Sequence, residues 1–197
     1  MFGWLRRWWR APRGGPMLRV AGGRAVIAAG VTARVRGFWL DERPVTNGDW
    51  LAFHQATGCG CPPWMFRPGW EDPAQPVVGV TLDEARAYAR WAGKRLVRVA
   101  EWARAAGAGP YPWGDATPTA TRAVFGHRAG TPPAAVGGRD EGRGPWRHQD
   151  LVGNVWELCE GGVACGGFRG SEDPRRELRV RMKVDERSAG VGFRCAR

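Results

Sequence analysis

Glycine and proline interrupt this chain so often that long helices and long strands are excluded over most of its length. They account for 30 and 15 of its 197 residues, and both favour turns over regular elements. The chain also carries 12 tryptophans, whose large flat side chains bury much area at a low cost in side-chain entropy. A chain of this length usually forms one domain with a sizeable core. We therefore expect one loop-rich domain held together by aromatic packing.

Two segments carry clear signals of short helices. Thr46 is a suitable N-cap for the first helix, which would bury Trp50 and Phe53. The second begins with a capping box at residues 81–84 (TLDE), continues with apolar residues at helical spacing, and ends at Gly93. Both helices are short, as the density of glycine and proline requires.

The remaining segments complete an α+β pattern. A third short helix is predicted over about residues 99–106, because the helical pattern there stops at Gly107. Residues 18–40 alternate small apolar side chains with arginines, which favours strands with one solvated face. Residues 59–76 are rich in Pro, Gly and Trp and should form an irregular loop. We expect short helices packed on small antiparallel sheets.

The net charge of +11 comes almost wholly from arginine, which supplies 28 of the 30 basic side chains. Guanidinium groups bind carboxylates and phosphates through paired hydrogen bonds, so an acidic protein, an acidic ligand or an anionic membrane surface would be attracted. No basic run interleaves with a known nucleic-acid-binding motif, which argues against nucleic acid as the partner. The alternative is that the arginines simply occupy solvated positions.

The cysteines form no CxxC pair, and only three histidines accompany them, so a structural zinc site is not expected. Their odd number leaves at least one free thiol. Cys159 and Cys165 either pair with each other or are two buried thiols. The chain lacks a run of about 18 apolar residues and a signal-peptide core, so we expect a cytoplasmic protein, alone or peripheral to a membrane or complex. The five positions are Cys59, Cys61, Cys159, Cys165 and Cys195.

Residues 1–16 are expected to form a tail ahead of a single domain at residues 17–197. The tail starts with a basic, aromatic stretch (MFGWLRRWWR) and ends in a linker rich in Gly and Pro. Its tryptophans are candidates for contact with an anionic membrane surface or a partner protein. The alternative is a disordered tail. The tryptophans in question are Trp4, Trp8 and Trp9.

Seven short segments together carry a family pattern over about residues 38–197. They are 44–47 (PVTN), 76–88 (PVVGVTLDEARAY), 91–96 (WAGKRL), 100–102 (AEW), 111–114 (YPWG), 150–157 (DLVGNVWE) and 190–194 (GVGFR). In this order they resemble the formylglycine-generating enzyme and sulfatase-modifying factor family, which implies that family's version of the C-type lectin fold. Four tryptophans of these segments should then share one connected core: Trp91, Trp102, Trp113 and Trp156.

The resemblance also implies a calcium site at residues 153–157 (GNVWE). Asn154 and Glu157 are the candidate side-chain ligands, because a hard cation takes oxygen ligands from carboxylates, amides and backbone carbonyls. The alternative is that both side chains hydrogen-bond the surrounding loop directly. A second family calcium site would begin at Ala123, which has no side-chain oxygen, so we expect that second site to be absent or degraded.

The resemblance further implies where catalytic cysteines should lie. The family's enzymes oxidise a substrate cysteine with copper held by two thiolates, which suit Cu(I) because it prefers sulfur. The two thiolate positions correspond here to Ser171 and Arg176, and neither side chain can bind Cu(I). A family disulfide corresponds to Cys195 and Ala89, so that bridge is lost too. No copper is expected.

A related branch of the family uses non-haem iron held by a histidine cluster in an added N-terminal helical domain. Nothing of that kind precedes residue 18. The histidines of this chain are singly placed, which is typical of surface or hydrogen-bonded side chains and not of metal ligands. They are His54, His127 and His148.

These features favour a non-catalytic binding or scaffold protein that uses the C-terminal face of the fold for a ligand or protein partner. Arginines crowd the part of the chain that forms the active-site face of the enzymes, and an acidic partner would suit them. Nearby acidic residues could instead neutralise them. The candidate binding residues are Arg169, Ser171, Arg175, Arg176, Arg179 and Arg181, with Arg187 and Arg194 in the same run.

Three other interpretations stay open at this point. The chain could be a variable, ligand-displaying protein of a diversity-generating retroelement, since those proteins use this fold and place diversified residues ahead of a terminal Gly-Phe-Arg. It could be an accessory subunit docked on a larger complex, with the aromatic N-terminus as its anchor. It could also be a formylglycine-generating oxidase with an altered site.

Overall fold

The computed structural model describes residues 14–128, 130–176, 179–183 and 186–197, and of residues 179 and 180 it describes the backbone. The described residues form three α-helices and ten short strands, which confirms the α+β prediction. The proposed contacts of Trp4, Trp8 and Trp9 lie outside this part of the chain. In chain order the elements are β1 (Met17–Val20), β2 (Gly23–Ala28), β3 (Val31–Val35), β4 (Phe38–Asp41), α1 (Asn47–Thr57), α2 (Leu82–Trp91), β5 (Arg95–Leu96), α3 (Val99–Ala106), β6 (Trp156–Cys159), β7 (Val163–Cys165), β8 (Arg179–Arg181), β9 (Val191–Gly192) and β10 (Cys195–Ala196).

The helices begin where their capping signals predict. Thr46 accepts a hydrogen bond from the backbone N–H of Asp49, whose carboxylate in turn accepts from the backbone N–H of Thr46. Thr81 and Glu84 form the same reciprocal cap at the start of α2. The helix α1 ends at Gly58, which has a φ of 72° that glycine adopts without steric strain.

The described strands form three small sheets, and two of these sheets bring distant segments together. The first has the strand order β1-β4-β10-β5, so the end of the chain lies between β4 and β5. The second is the isolated hairpin β2–β3. The third has the order β8-β7-β6-β9, with β6 and β9 parallel, and it places the motif at residues 190–194 beside the motif at residues 150–157.

The buried side chains form two main clusters, so the prediction of one connected tryptophan core is wrong. Trp102 and the half-buried Trp113 belong to a cluster between α3, β2, β3 and β4. Trp91 and Trp156, also half-buried, pack instead on the cluster under α1 and α2. The division arises because α3 packs on the β2–β3 hairpin, whereas α1 and α2 pack on each other. Only Trp102 of the four is fully buried.

The second cluster centres on stacked aromatic rings. Trp50 of α1 lies parallel to Tyr88 of α2 at 5.8 Å between centroids, and Phe193 meets both rings edge to face. Such pairs add about 0.5–1.5 kcal/mol beyond the area they bury. Phe193 thereby fixes the C-terminal segment against the helices, and this contact positions its neighbour Arg194.

The long segment after α1 is irregular, as predicted, apart from a 3₁₀ turn at Pro63–Phe66. The buried side chain of Asn47 holds it in place by donating to the carbonyl oxygens of Trp70 and Asp72. Within the described residues, no helix is both long and apolar enough to cross a membrane.

Candidate functional site

Glu157 on β6 is the centre of the region that the sequence marks as functional. Its side chain is fully buried, and both carboxylate oxygens are occupied by protein donors. Arg194 donates through Nε to Oε2 at 2.7 Å and through Nη2 to Oε1 at 2.5 Å. The indole Nε1 of Trp102 donates to Oε2 at 2.9 Å. This is a bidentate, fully desolvated ion pair, the geometry in which arginine binds a carboxylate most strongly.

Arg194 also binds three backbone carbonyls with its remaining donors. Nη1 donates to the carbonyl oxygens of Asp41 and Glu42, at 3.2 and 3.1 Å, and Nη2 donates to that of Gln149 at 2.7 Å. One guanidinium therefore joins β6, the end of β4 and the loop before residue 150. Its charge also affects the buried His148, because burial and the nearby Arg194 together lower the pKa of that imidazole to about 3.

Asn154 belongs to a different set of hydrogen bonds. Its backbone has a φ of 55°, and its side-chain amide pairs with the backbone of Ala134, accepting from N–H at 3.0 Å and donating to C=O at 2.9 Å. Asn154 and Glu157 therefore do not share an oxygen shell. The guanidinium of Arg194 already faces the Glu157 carboxylate, and it would repel a cation. The calcium site that the resemblance implies does not fit these residues, and direct bonding to the protein, the alternative considered above, describes them.

Ser171 and Arg176, near which the resemblance implies the copper thiolates, both bond the backbone in the structure. The Ser171 hydroxyl accepts from the N–H of Phe168 at 3.1 Å. The buried guanidinium of Arg176 donates to the carbonyl oxygens of Gly109, Ala108 and Val26. A hydroxyl and a guanidinium do not fit Cu(I), which requires soft sulfur ligands.

The cysteines are all free thiols in the structure. Cys159 on β6 and Cys165 on β7 are fully buried, with their sulfur atoms 4.0 Å apart, so they are two buried thiols and not a disulfide. Cys195 is also buried, and burial raises the pKa of its thiol. Ala89, the position opposite it in the family bridge, is buried and offers only a methyl group.

The arginines of the C-terminal run differ sharply in their surroundings. Arg169 is buried over the ring of Trp70 at 5.0 Å and donates to the carbonyl oxygens of Thr131, Asn154 and Ala189, and burial lowers its pKa to about 10. Together with Arg176 and Arg194 it lies inside the fold, so these three arginines do not form the expected cationic surface.

Three other members of the run lie at the surface. Arg175 pairs with Asp173 at 2.5 Å, and Arg187 pairs with Glu84 at 2.6 Å. Arg181 is exposed. The side chain of Arg179 lies outside the described part of the chain, although its backbone belongs to β8. Asp173 thus neutralises Arg175 locally, as the alternative anticipated, whereas the partner of Arg187 comes from α2.

The family of the chain follows from a match over nearly its whole length. Residues 9–197 match the family model of the sulfatase-modifying factor enzyme 1-like domain. The chain belongs to this family. The buried Glu157–Arg194 pair, with Trp102 beside it, therefore joins three of the segments that carry the family resemblance.

Several named members of the sulfatase-modifying factor family, one of them inactive, are similar to parts of the chain. A hercynine oxygenase of Mycolicibacterium thermoresistibile is 35% identical over 62% of this chain and 35% of its own length. A formylglycine-generating enzyme of Streptomyces coelicolor is 32% identical over 65% and 59%. An inactive Cα-formylglycine-generating enzyme 2 of Bos taurus is 31% identical over 61% and 50%. The chain thus spans less than two thirds of each of these relatives.

Solved structures confirm the family's fold. PvdO from Pseudomonas aeruginosa superposes with a TM-score of 0.73, covering 92% of this chain and 93% of its own, at 23% identity. Treponema denticola variable protein 1 superposes with a TM-score of 0.71 over 91% and 94%, at 17% identity. At these identities the likeness shows the fold alone.

Sequence reasoning missed the pairing of Glu157 with Arg194. It assigned the acid to a cation site and the base to a surface, although each lies in an otherwise apolar segment, WEL and GFRC. Two opposite charges, each inside an apolar run, are a signal of a buried ion pair, since neither is tolerated alone in a core.

Proposed function

We propose that this chain is a non-catalytic binding domain of the sulfatase-modifying factor family, which contacts a ligand or protein partner through the loop surface at residues 159–190. The observation that carries the proposal is the environment of Arg176. At a position that corresponds to a copper thiolate, a buried guanidinium binds three backbone carbonyls and tightens the loops around it. The position serves the scaffold and not redox chemistry.

The thiols that the chain retains do not support an oxidase with a rearranged site. Cys159 and Cys165 have no exposed surface, so a substrate cysteine has no route to them without local opening. A reactive thiol is normally accessible and has a lowered pKa. The surface-adjacent Cys59 and Cys61 instead have pKa values that burial raises.

The same region is well built for binding. Arg169 and Arg176 fix long loops through their backbone carbonyls, which reduces the ordering cost that a loop surface otherwise has on binding. Phe168 is half-buried, stacked at 6.4 Å on Trp156, and it lies beside glycines at positions 170 and 190. A rigid aromatic group framed by fixed loops suits recognition of a partner surface.

Copper binding and cysteine oxidation test the non-catalytic part of the proposal. The purified, reduced chain is titrated with Cu(I) against a competing chelator and then assayed for aldehyde formation on a cysteine-containing peptide. We expect no turnover and no stoichiometric Cu(I) binding that depends on the buried thiols. Turnover together with copper binding that is lost in the Cys159→Ser/Cys165→Ser variant would establish an altered oxidase instead.

Partner capture followed by hydrogen exchange tests the binding part. The chain is used to co-purify its partner from the native host, and amide exchange is compared for the free and the bound chain. We expect the strongest added protection between residues 159 and 190. Protection confined to other segments would show that the C-terminal loops are not the contact surface.

A flanking template repeat in the genome that differs from this coding sequence only at adenines would instead establish diversified ligand display.

A further inference from the structure

An open groove lies between the β2–β3 hairpin and the start of α3. It consists of two adjoining cavities of about 590 and 380 Å³ that share Arg34, Val35 and Arg36. Glycines line one end of the groove, and the first residues of α3 line the other. These further residues are Gly22, Gly23, Gly37, Arg98, Ala100 and Glu101.

Arginines dominate the outward face of this hairpin. Arg34 and Arg36 are two residues apart on either side of the buried Val35, so their side chains point to the same exposed face. Arg24 is directly opposite Arg34 in the β2–β3 register and is also exposed. Like charges in directly opposite positions destabilise a strand pair. The hairpin therefore carries a repulsion that a bound anion would relieve.

Nothing in the described part of the chain neutralises these side chains. No ion pair among the described residues involves Arg34 or Arg36, and Arg24 donates only to the Thr32 hydroxyl. Glu101 is the one acidic residue lining the groove, and Arg95 already holds both its carboxylate oxygens at 2.7 Å. Arg98, with a side chain 68% exposed, lies 3.9 Å from that carboxylate, beyond hydrogen-bond distance.

The shape and lining of the groove favour a peptide over a nucleic acid. The hairpin strands pair only with each other among the described strands, so an extended segment can lie along residues 34–36 without displacing a neighbour. No aromatic side chain lines the groove, whereas proteins that bind single-stranded nucleic acid usually stack bases on aromatic rings. Guanidinium forks match the carboxylates of aspartate and glutamate.

We propose that this groove binds an extended acidic segment of a partner protein, with carboxylates of the segment paired by Arg34, Arg36 and Arg98. None of the residues lining the groove belongs to the loop surface at residues 159–190, although Arg98 is bridged to Glu160 at the edge of that surface. The proposal holds whether or not that surface binds a partner. It accounts for the unneutralised arginines of the hairpin, which the rest of the fold does not use.

A binding titration with matched charge variants tests this proposal. The probe is a fluorescent peptide of alternating aspartate and threonine residues, and the variants are Arg34→Ala/Arg36→Ala and Arg90→Ala/Arg128→Ala. The second pair removes the same charge from exposed positions outside the groove. We expect the groove variant to bind about tenfold more weakly, with a shallower salt dependence, because two charge-assisted contacts are lost. The control variant should stay within about twofold of the unmodified chain.

Each alternative has its own outcome. Equal weakening in both variants would mean that net charge alone attracts the peptide, and unchanged affinity in the groove variant would mean that it binds elsewhere. If a single-stranded oligonucleotide or inorganic phosphate competed at concentrations where the peptide binds, that competitor, and not an acidic segment, would be the ligand of the groove. Thermal melting of every variant confirms folding, and the groove variant should melt no lower than the unmodified chain.

Discussion

The C-terminal arginines and the hairpin arginines use the same side chain in opposite ways. Arg169, Arg176 and Arg194 are buried and bind loop carbonyls or a carboxylate, so their guanidinium groups have partners inside the fold. Arg34 and Arg36 are exposed and have no acidic partner among the described residues. The positive charges behind the net charge of +11 therefore do not all lie at the surface. Part of it stabilises the architecture, and part is available to a partner.

The largest effect should come from breaking the buried ion pair. Replacing Arg194 with alanine leaves the Glu157 carboxylate buried and unpaired, which should lower the free energy of unfolding by about 3–5 kcal/mol. The double variant Glu157→Leu/Arg194→Met removes both charges and should lose less than the single variant, because no charge is left buried without a partner. Chemical denaturation of the single and double variants measures the coupling. A single variant as stable as the double variant would contradict the assigned pairing.

Acid should destabilise the protein through His148. The pKa of this imidazole is about 3 in the folded chain against an ordinary 6.5, because burial and the nearby Arg194 oppose its protonation. The unfolded chain binds the proton first, so stability is full above pH 6.5 and falls as the pH drops towards about 3. We expect this loss to reach a few kcal/mol and to be reduced in His148→Gln. Parallel pH profiles of the two proteins would contradict the assignment.

The loop-holding arginines should have intermediate effects. Arg176→Lys keeps the charge but loses the planar fork that reaches three carbonyls, and it should cost about 1–3 kcal/mol of unfolding free energy. The exposed Arg181 provides the matched control, since Arg181→Lys should change stability by less than about 0.5 kcal/mol. If the two substitutions had equal effects in thermal melts, the bonds of Arg176 to the three carbonyls would not stabilise the fold.

The hairpin should respond in the opposite direction. Replacing Arg34 by threonine removes the like-charge pair with Arg24 and introduces a residue that suits a strand. We expect a gain of a few tenths of a kcal/mol, measured by denaturation at low salt and smaller at high salt. A loss of stability would mean that Arg34 serves the fold, as the C-terminal arginines do.

The sequence predicts local structure well and distant pairing poorly. The three helices could be predicted because Thr46, Thr81 and Gly107 are signals that act within one helical turn. The contact between Glu157 and Arg194 joins residues 37 positions apart. It depends on β9 and β10 returning beside β6 and β4, which no local signal specifies.

The candidate site was harder to predict than the fold. The resemblance located the segment around Asn154 and Glu157, but it assigned them metal ligation, since an oxygen-bearing side chain looks the same whether it faces a cation or an N–H group. The sequence also does not show whether an arginine side chain points into the core or to solvent. Arg175 and Arg176 are adjacent in sequence, yet one is exposed and the other is buried against backbone carbonyls.

We propose that the hydrogen bonds of buried Arg194 to Glu157 and to backbone carbonyls take the place of metal binding at this position of the fold. Thermal unfolding in excess calcium and in excess chelator tests it most directly, because a bound cation would stabilise the folded chain by mass action. We expect equal melting temperatures in the two conditions. A higher melting temperature in calcium, abolished by Glu157→Gln, would contradict it.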